Sequence, residues 1–148
     1  MADRLEGYVD GCRDALLSGN VSHFAELTLE TETVTDAVTV MGWRGPEEGG
    51  LTVSLLRRGT SSGVCDVAYR PLAPSADLVE SLATLTEALA VADLAKEPNR
   101  VELVQAGQVI LTCAKGQGMA LYLDPTAKGV GFAAQVATVP PHRMKCEG

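Results

Sequence analysis

The chain has 148 residues, of which 46% are hydrophobic, 21% charged and only 4% aromatic, with a net charge of −7. That length suits one domain whose core is built from Leu, Val, Ala and Thr, and the balance excludes a disordered chain. No apolar run approaches the roughly 20 residues of a membrane helix. The opening MADRLEGYVDG also carries charges and glycines where a signal peptide needs an apolar stretch. The expectation is a soluble, cytoplasmic protein with no membrane insertion.

Residues 1–50 hold ten acids against three bases, so the negative charge is concentrated in the first third. Such a surface repels phosphate backbones and anionic lipid at long range, which argues against a nucleic-acid partner. The four cysteines, Cys12, Cys65, Cys113 and Cys146, are widely spaced and form no CxxC pair. In a reducing compartment they read as free, small, buried hydrophobes.

In chain order, 3–18 places Leu5, Tyr8, Val9, Cys12 and Leu16 at helical spacing, with Gly19-Asn20 as the stop. Residues 26–41 alternate and are dense in Thr and Val, which predicts strand, too long for one ordinary piece, with a break or bulge near Thr35-Asp36 that gives two strands or one bent strand. GWRGPEEGG (42–50) reads as a hairpin tip, LTVSLLRR (51–58) as a strand, GTSSG as a turn and VCDVAYR (64–70) as a further strand. Ser75 caps a helix over 76–95, with Leu78, Leu82, Leu85 and Leu89 on one face and Pro98 beyond its end. RVELVQ, QVILTCA and MALYL follow as a second meander, with AG and KGQG as turns. Residues 129–139 fit either a strand or a short helix. The two sheet segments, each led by a helix, form a faint internal echo.

These elements predict an α+β fold: a single antiparallel β-sheet of two meanders, about 5–7 strands, with an N-terminal helix and a long central helix packed on it. The domain is expected to span 1–139 and a flexible C-terminal tail 140–148.

Chemistry-bearing residues are sparse. His23 and His142 are the two histidines, and a nucleophile needs a rigidly held base. Pairing His23 with Cys12 or Cys65 has no support in the spacing. His142 and Cys146 stand four apart, but a structural metal site wants four ligands and no second pair is present. KGQG and GVGF contain Gly-x-Gly without the strand–glycine–helix context of a phosphate cradle. Glu30 and Glu32 share a strand face and read as solvated. No catalytic residue, metal ligand or cofactor follows. Trp43 and Arg44 remain as binding candidates, because exposed Trp and Arg are enriched at binding hot spots.

A small acidic chain with the element order α–βββ–α–ββ–α resembles the dimeric type III secretion chaperones, which hold unfolded segments of an effector. Its second half, a helix followed by VELVQAGQVILTCAKGQGMALYLDP, resembles the roadblock family, whose dimers act as scaffolds and small-GTPase regulators. The strands at 26–41 depart from the roadblock pattern, and the three-strand C-terminal meander departs from the chaperone one. The Ala/Thr-rich side of helix 76–95 (Ala83, Thr84, Ala88, Val91, Ala95) and an open sheet edge favour a protein partner and a homodimer. The expected function is a non-catalytic protein–protein interaction module (adaptor, scaffold or chaperone-like) acting as a dimer. The alternative is a small-ligand-binding protein or enzyme with a pocket between the sheet and helix 76–95.

Overall fold

The computed structural model describes residues 1–46, 50–59, 62–104, 107–124 and 131–147. Helix α1 (Ala2–Ser18) ends where Gly19 adopts a left-handed conformation, φ 80°, and its N–H bonds back to the Ala15 carbonyl at 2.9 Å. A 3-10 turn, Ser22–Phe24, then leads into four strands: β1 (Thr28–Val34), β2 (Val38–Arg44), β3 (Leu51–Arg58) and β4 (Ser62–Tyr69). Helix α2 (Ala76–Leu94) begins at Ser75, whose hydroxyl accepts from Leu78 N at 3.1 Å. Four more strands follow: β5 (Asn99–Val104), β6 (Gly107–Ala114), β7 (Gln117–Leu123) and β8 (Phe132–Val139).

All eight strands form one antiparallel sheet in the order β1-β2-β3-β4-β8-β7-β6-β5. The α+β class and the two leading helices stand as expected. The strand number of 5–7 is corrected to eight among the described residues. Both open cases resolve as strand: 26–41 divides at Thr35 to Ala37 into β1 and β2, and 132–139 becomes β8. Strand β8 is central, pairing with both β4 and β7, and both its faces are partly covered. Lys115 and Gly116 both take positive φ (52° and 79°), as the tight hairpin between β6 and β7 requires. KGQG is therefore a turn. The glutamates of the 42–50 tip, part of GTSSG, and the first glycine of GVGF lie outside the described residues.

The helices cover one face. Leu5, Val9, Cys12 and Leu16 of α1 and Leu82, Leu85 and Leu89 of α2 close over Val53, Val67, Val136 and Leu121. Burying these aliphatic side chains is the main stabilising contribution, about 1.5–3 kcal/mol for each one fully covered. Asp93 extends the leucine stripe of α2 and is 1% exposed. Its carboxylate takes both bonds from Arg13 Nη2, at 2.9 and 3.0 Å, and meets Lys96 Nζ at 3.0 Å, tying α1 to α2.

The cysteines are not free. Cys12–Cys65 joins α1 to β4, and Cys113–Cys146 joins β6 to the C-terminal segment, with Cα separations of 5.5 and 5.7 Å. Sequence separations of 53 and 33 hide these pairs from any local pattern. Only the folded sheet brings them together. Residues 140–147 turn through Arg143 N and Met144 N bonds to the Pro140 carbonyl. They lie along the outer face of the sheet, where Met144 is buried with Leu111 and Val139.

The internal echo has a geometric form. Asp66 pairs with Gln135 at the β4–β8 junction, and Gln135 Nε2 donates to Asp66 Oδ1 at 3.0 Å. A pseudo-twofold axis through this pair exchanges Val67↔Ala134 with Val136↔Cys65. Followed outward through the ladders, it relates Val53 to Leu121, Trp43 to Ile110 and Leu29 to Val101. Each half is a helix followed by a four-stranded meander.

Candidate functional site: the β5 edge and the groove beside α2

The two halves differ at the link between helix and first strand. In the first, residues 19–27 are long enough to fold the 3-10 turn over the sheet. Phe24 is fully buried there, with its ring 4.7 Å from Trp43 and 6.1 Å from Tyr8. Gly11 makes room for it, since a Cβ at that position would lie 2.6 Å from His23 Cβ. In the second half, only residues 95–98 connect α2 to β5, with a cis Glu97–Pro98 bond among them. Among the described residues, this link holds no turn of comparable length to lie over β6. The corresponding place is an apolar groove of about 340 Å³ between Thr86 and Ala90 of α2 and Gln108, Ile110, Leu121 and Leu123 of the sheet.

Strand β5 runs beside that groove as an edge of the sheet. Val101 and Leu103 pair with Ile110 and Gln108 of β6, and cross-strand partners share a face, so both point to the helix side. Leu103 is nevertheless 82% exposed, and Val101, Val91 and Leu94 are exposed as well. Leu94 continues the Thr86–Ala90 row by one helical turn. On the outer face, Glu102 is held by Arg100 Nη2 at 2.8 Å and by Arg143, while Arg100 Nη1 donates to the Arg143 carbonyl at 3.0 Å. The C-terminal segment therefore fixes the charged side chains of β5.

Trp43 is a core side chain, 5% exposed, in tilted contact with the Phe24 ring and paired across the ladder with Leu29 and Val53. Arg44, next in the strand, is at the surface with Nε 2.7 Å from Glu30. Glu32 faces solvent on β1. His23 Nε2 lies 3.3 Å from Asp14 Oδ2, with both side chains substantially exposed, and its alternative partners Cys12 and Cys65 are bonded to each other. His142 is exposed, and Cys146 is committed to its disulfide. No group of three or more His, Cys, Asp or Glu with metal-holding geometry occurs among the described residues.

Titration is perturbed in one region, around α1. Hydrogen bonds from Asn20 and then Ser18 hold the Asp14 carboxyl below the usual carboxylate range. Burial pushes the Tyr8 phenol up, and the hydrogen bond it donates to Glu26 lowers that carboxyl. Arg4 is raised by its contact with Tyr8. These groups fasten α1 to the segment at 20–26. The described side chains lining the α2 groove include no titratable group. Two further clefts, one of about 720 Å³ beside Cys113 with Lys115 and Lys145 and one of about 440 Å³ between Glu6 of α1 and Glu80 of α2, are open and polar-rimmed.

The β5 surface was not legible in RVELVQ. Alternation marks Val101 and Leu103 as apolar, but only the topology makes their strand an edge. Asp93 could have been found, because an acid one turn beyond Leu89 interrupts the leucine stripe. Comparisons with family models, with curated proteins and with solved structures find no match. The resemblances in element order gain nothing from them.

Proposed function

We propose that this chain is a non-catalytic protein-interaction module that acts as a homodimer and meets its partners through the β5 edge and the adjoining side of α2. One observation carries the reading: an unpaired edge strand presents Val101 and an 82% exposed Leu103 beside exposed Val91 and Leu94. Edge strands left open and apolar are templates for pairing, and contiguous apolar patches mark interaction sites. Under the alternative reading, the groove beside α2 is where a small ligand would sit. Ligand sites combine an apolar wall with a few converging polar groups. This groove has Thr86, whose hydroxyl already bonds the Leu82 carbonyl at 2.9 Å, and Gln108. That is thin equipment for fixing a small molecule.

Native mass spectrometry of the purified chain decides between the two readings. A ligand-free dimer is expected. A monomer carrying one stoichiometric small molecule sinks the interaction reading in favour of the pocket.

No helix of the described residues is long and apolar enough to cross a membrane. The two disulfides favour an oxidising compartment over the expected cytoplasm. Thiol titration of protein taken from its native cell under alkylating quench separates the cases: four free thiols mean cytoplasm, none means export.

A further inference from the structure

We infer that the dimer forms by antiparallel pairing of β5 with β5 of a second copy, about a twofold axis at Val101. The inference rests on the interaction reading above and names its first partner. Charge selects the strand. The opposite edge, β1, carries Glu30 and Glu32 with no base, and its register is broken by a bulge between Leu29 and Thr31. Two copies of β1 laid antiparallel set acid against acid. Strand β5 carries one base and one acid, Arg100 and Glu102, on a common face.

Residues directly opposite in a ladder share a face, so only certain registers join the apolar sides of the two strands. With the axis at Val101, that residue meets its own copy, and Arg100 stands opposite the partner's Glu102 twice, once on each side of the axis. An axis at Glu102 instead sets the two carboxylates against each other. The first register is the self-complementary one. Its charged side chains are already held in place, because Arg143 fixes Glu102 and accepts from Arg100 through its carbonyl. On the helix side, the partner's Leu103 falls opposite Asn99. Asn99 Nδ2 is tied to the Leu94 and Lys96 carbonyls at 3.0 and 2.8 Å, so this end of β5 adjoins the C-terminus of α2. Each Leu103 thus arrives beside the exposed Leu94 of the other copy. The contact repeats between molecules what β4 and β8 do within one: two helix-plus-meander units joined edge to edge about a twofold axis.

A charge-swap series on the full chain tests this, with mass followed by sedimentation velocity and folding by far-UV circular dichroism. Arg100→Glu alone and Glu102→Arg alone each place like charges across the axis. Each is expected to weaken the dimer by tenfold or more. Mixing the two variants restores complementary pairs, and a mixed dimer is expected to return. Leu103→Asp, at a site exposed in the single chain, is expected to give a folded monomer. A wild-type dimer that all of these variants leave unchanged overturns the β5 assignment while the interaction reading stands. A wild-type monomer at every concentration overturns both. Masses that grow beyond the dimer signal β5 joined to β1 in an open chain of copies, and also overturn the twofold contact.

Discussion

Trp43 lies under Phe24 because its place in β2 turns it to the helix face, between Leu29 and Val53. A tryptophan beside an arginine at a strand end reads as the flank of a turn that can also touch a partner, and the structure makes it core. Which it is depends on the parity of the strand, and parity is set by pairing several residues away. Trp43→Ala is expected to cost about 3–5 kcal/mol in chemical denaturation, since it opens a cavity beneath a ring with few ways to collapse. The same substitution leaves the association state unchanged, which sedimentation would show. Asp14 is a surface counterpart. Its carboxylate accepts from Asn20 Nδ2 at 2.8 Å and from the Ser18 hydroxyl at 3.1 Å, and its pKa is lowered by those bonds. A carboxyl depressed in the folded state stabilises above its unfolded value near about 4, and that stabilisation is lost as pH falls through the folded value. Asp14→Ala is therefore expected to lower stability by about 0.5–1 kcal/mol at neutral pH, discounted for its partial exposure. The gap should close as pH falls through the lowered folded value, and melting curves followed down into acid would reveal a pH-independent difference if the bonds were immaterial.

At the scale of elements, α1 and α2 are joined by one buried acid. Asp93→Ala removes the carboxylate that pairs with Arg13 and leaves a guanidinium 19% exposed without its main partner. Breaking such a pair from one side costs about 3–5 kcal/mol. A loss of under 1 kcal/mol in urea denaturation would show that water replaces the carboxylate freely. The C-terminal segment is held by Cys113–Cys146, by Met144 in its small cluster and by Arg143 on Glu102. With Cys113 and Cys146 both changed to Ser, the segment keeps only its weaker contacts. Trypsin is expected to cut after Arg143 and Lys145 several-fold faster than in the bridged chain. Closing this loop is worth about 2–4 kcal/mol in the usual range for a disulfide. Equal cleavage rates would mean that packing alone retains the segment.

For the whole molecule, the central β4–β8 junction and the two free edges set a gradient of stability. Amide exchange is expected to be slowest in β4 and β8, which are paired on both sides and lie closest to α1, and fastest in β1 and β5. Protection of β5, but not of β1, should rise with protein concentration if β5 pairs between copies. The net charge of −7 is concentrated away from β5, toward the half that contains α1 and β1. Association through β5 thus keeps the most acidic halves of two copies apart. High salt should act mainly on the Arg100–Glu102 pairs and weaken the dimer modestly, because exposed charges are screened within about 10 Å at 0.1 M.

Helix 76–94, its Ser75 cap, the division of 26–41 and the Lys115-Gly116 turn were all written locally. Each depends on contacts within a few residues, or on a period that neighbouring side chains make visible. The class of fold followed from the order of those pieces. Three features came only with the tertiary structure: which strand ends the sheet, which cysteines meet, and which way Trp43 faces. Each of these depends on long-range register, where one residue of slip exchanges the buried and exposed faces of a strand. The apolar character of Val101 and Leu103 was present in the sequence from the start. Their exposure follows from the place of β5 at the edge of the sheet, which only the topology decides.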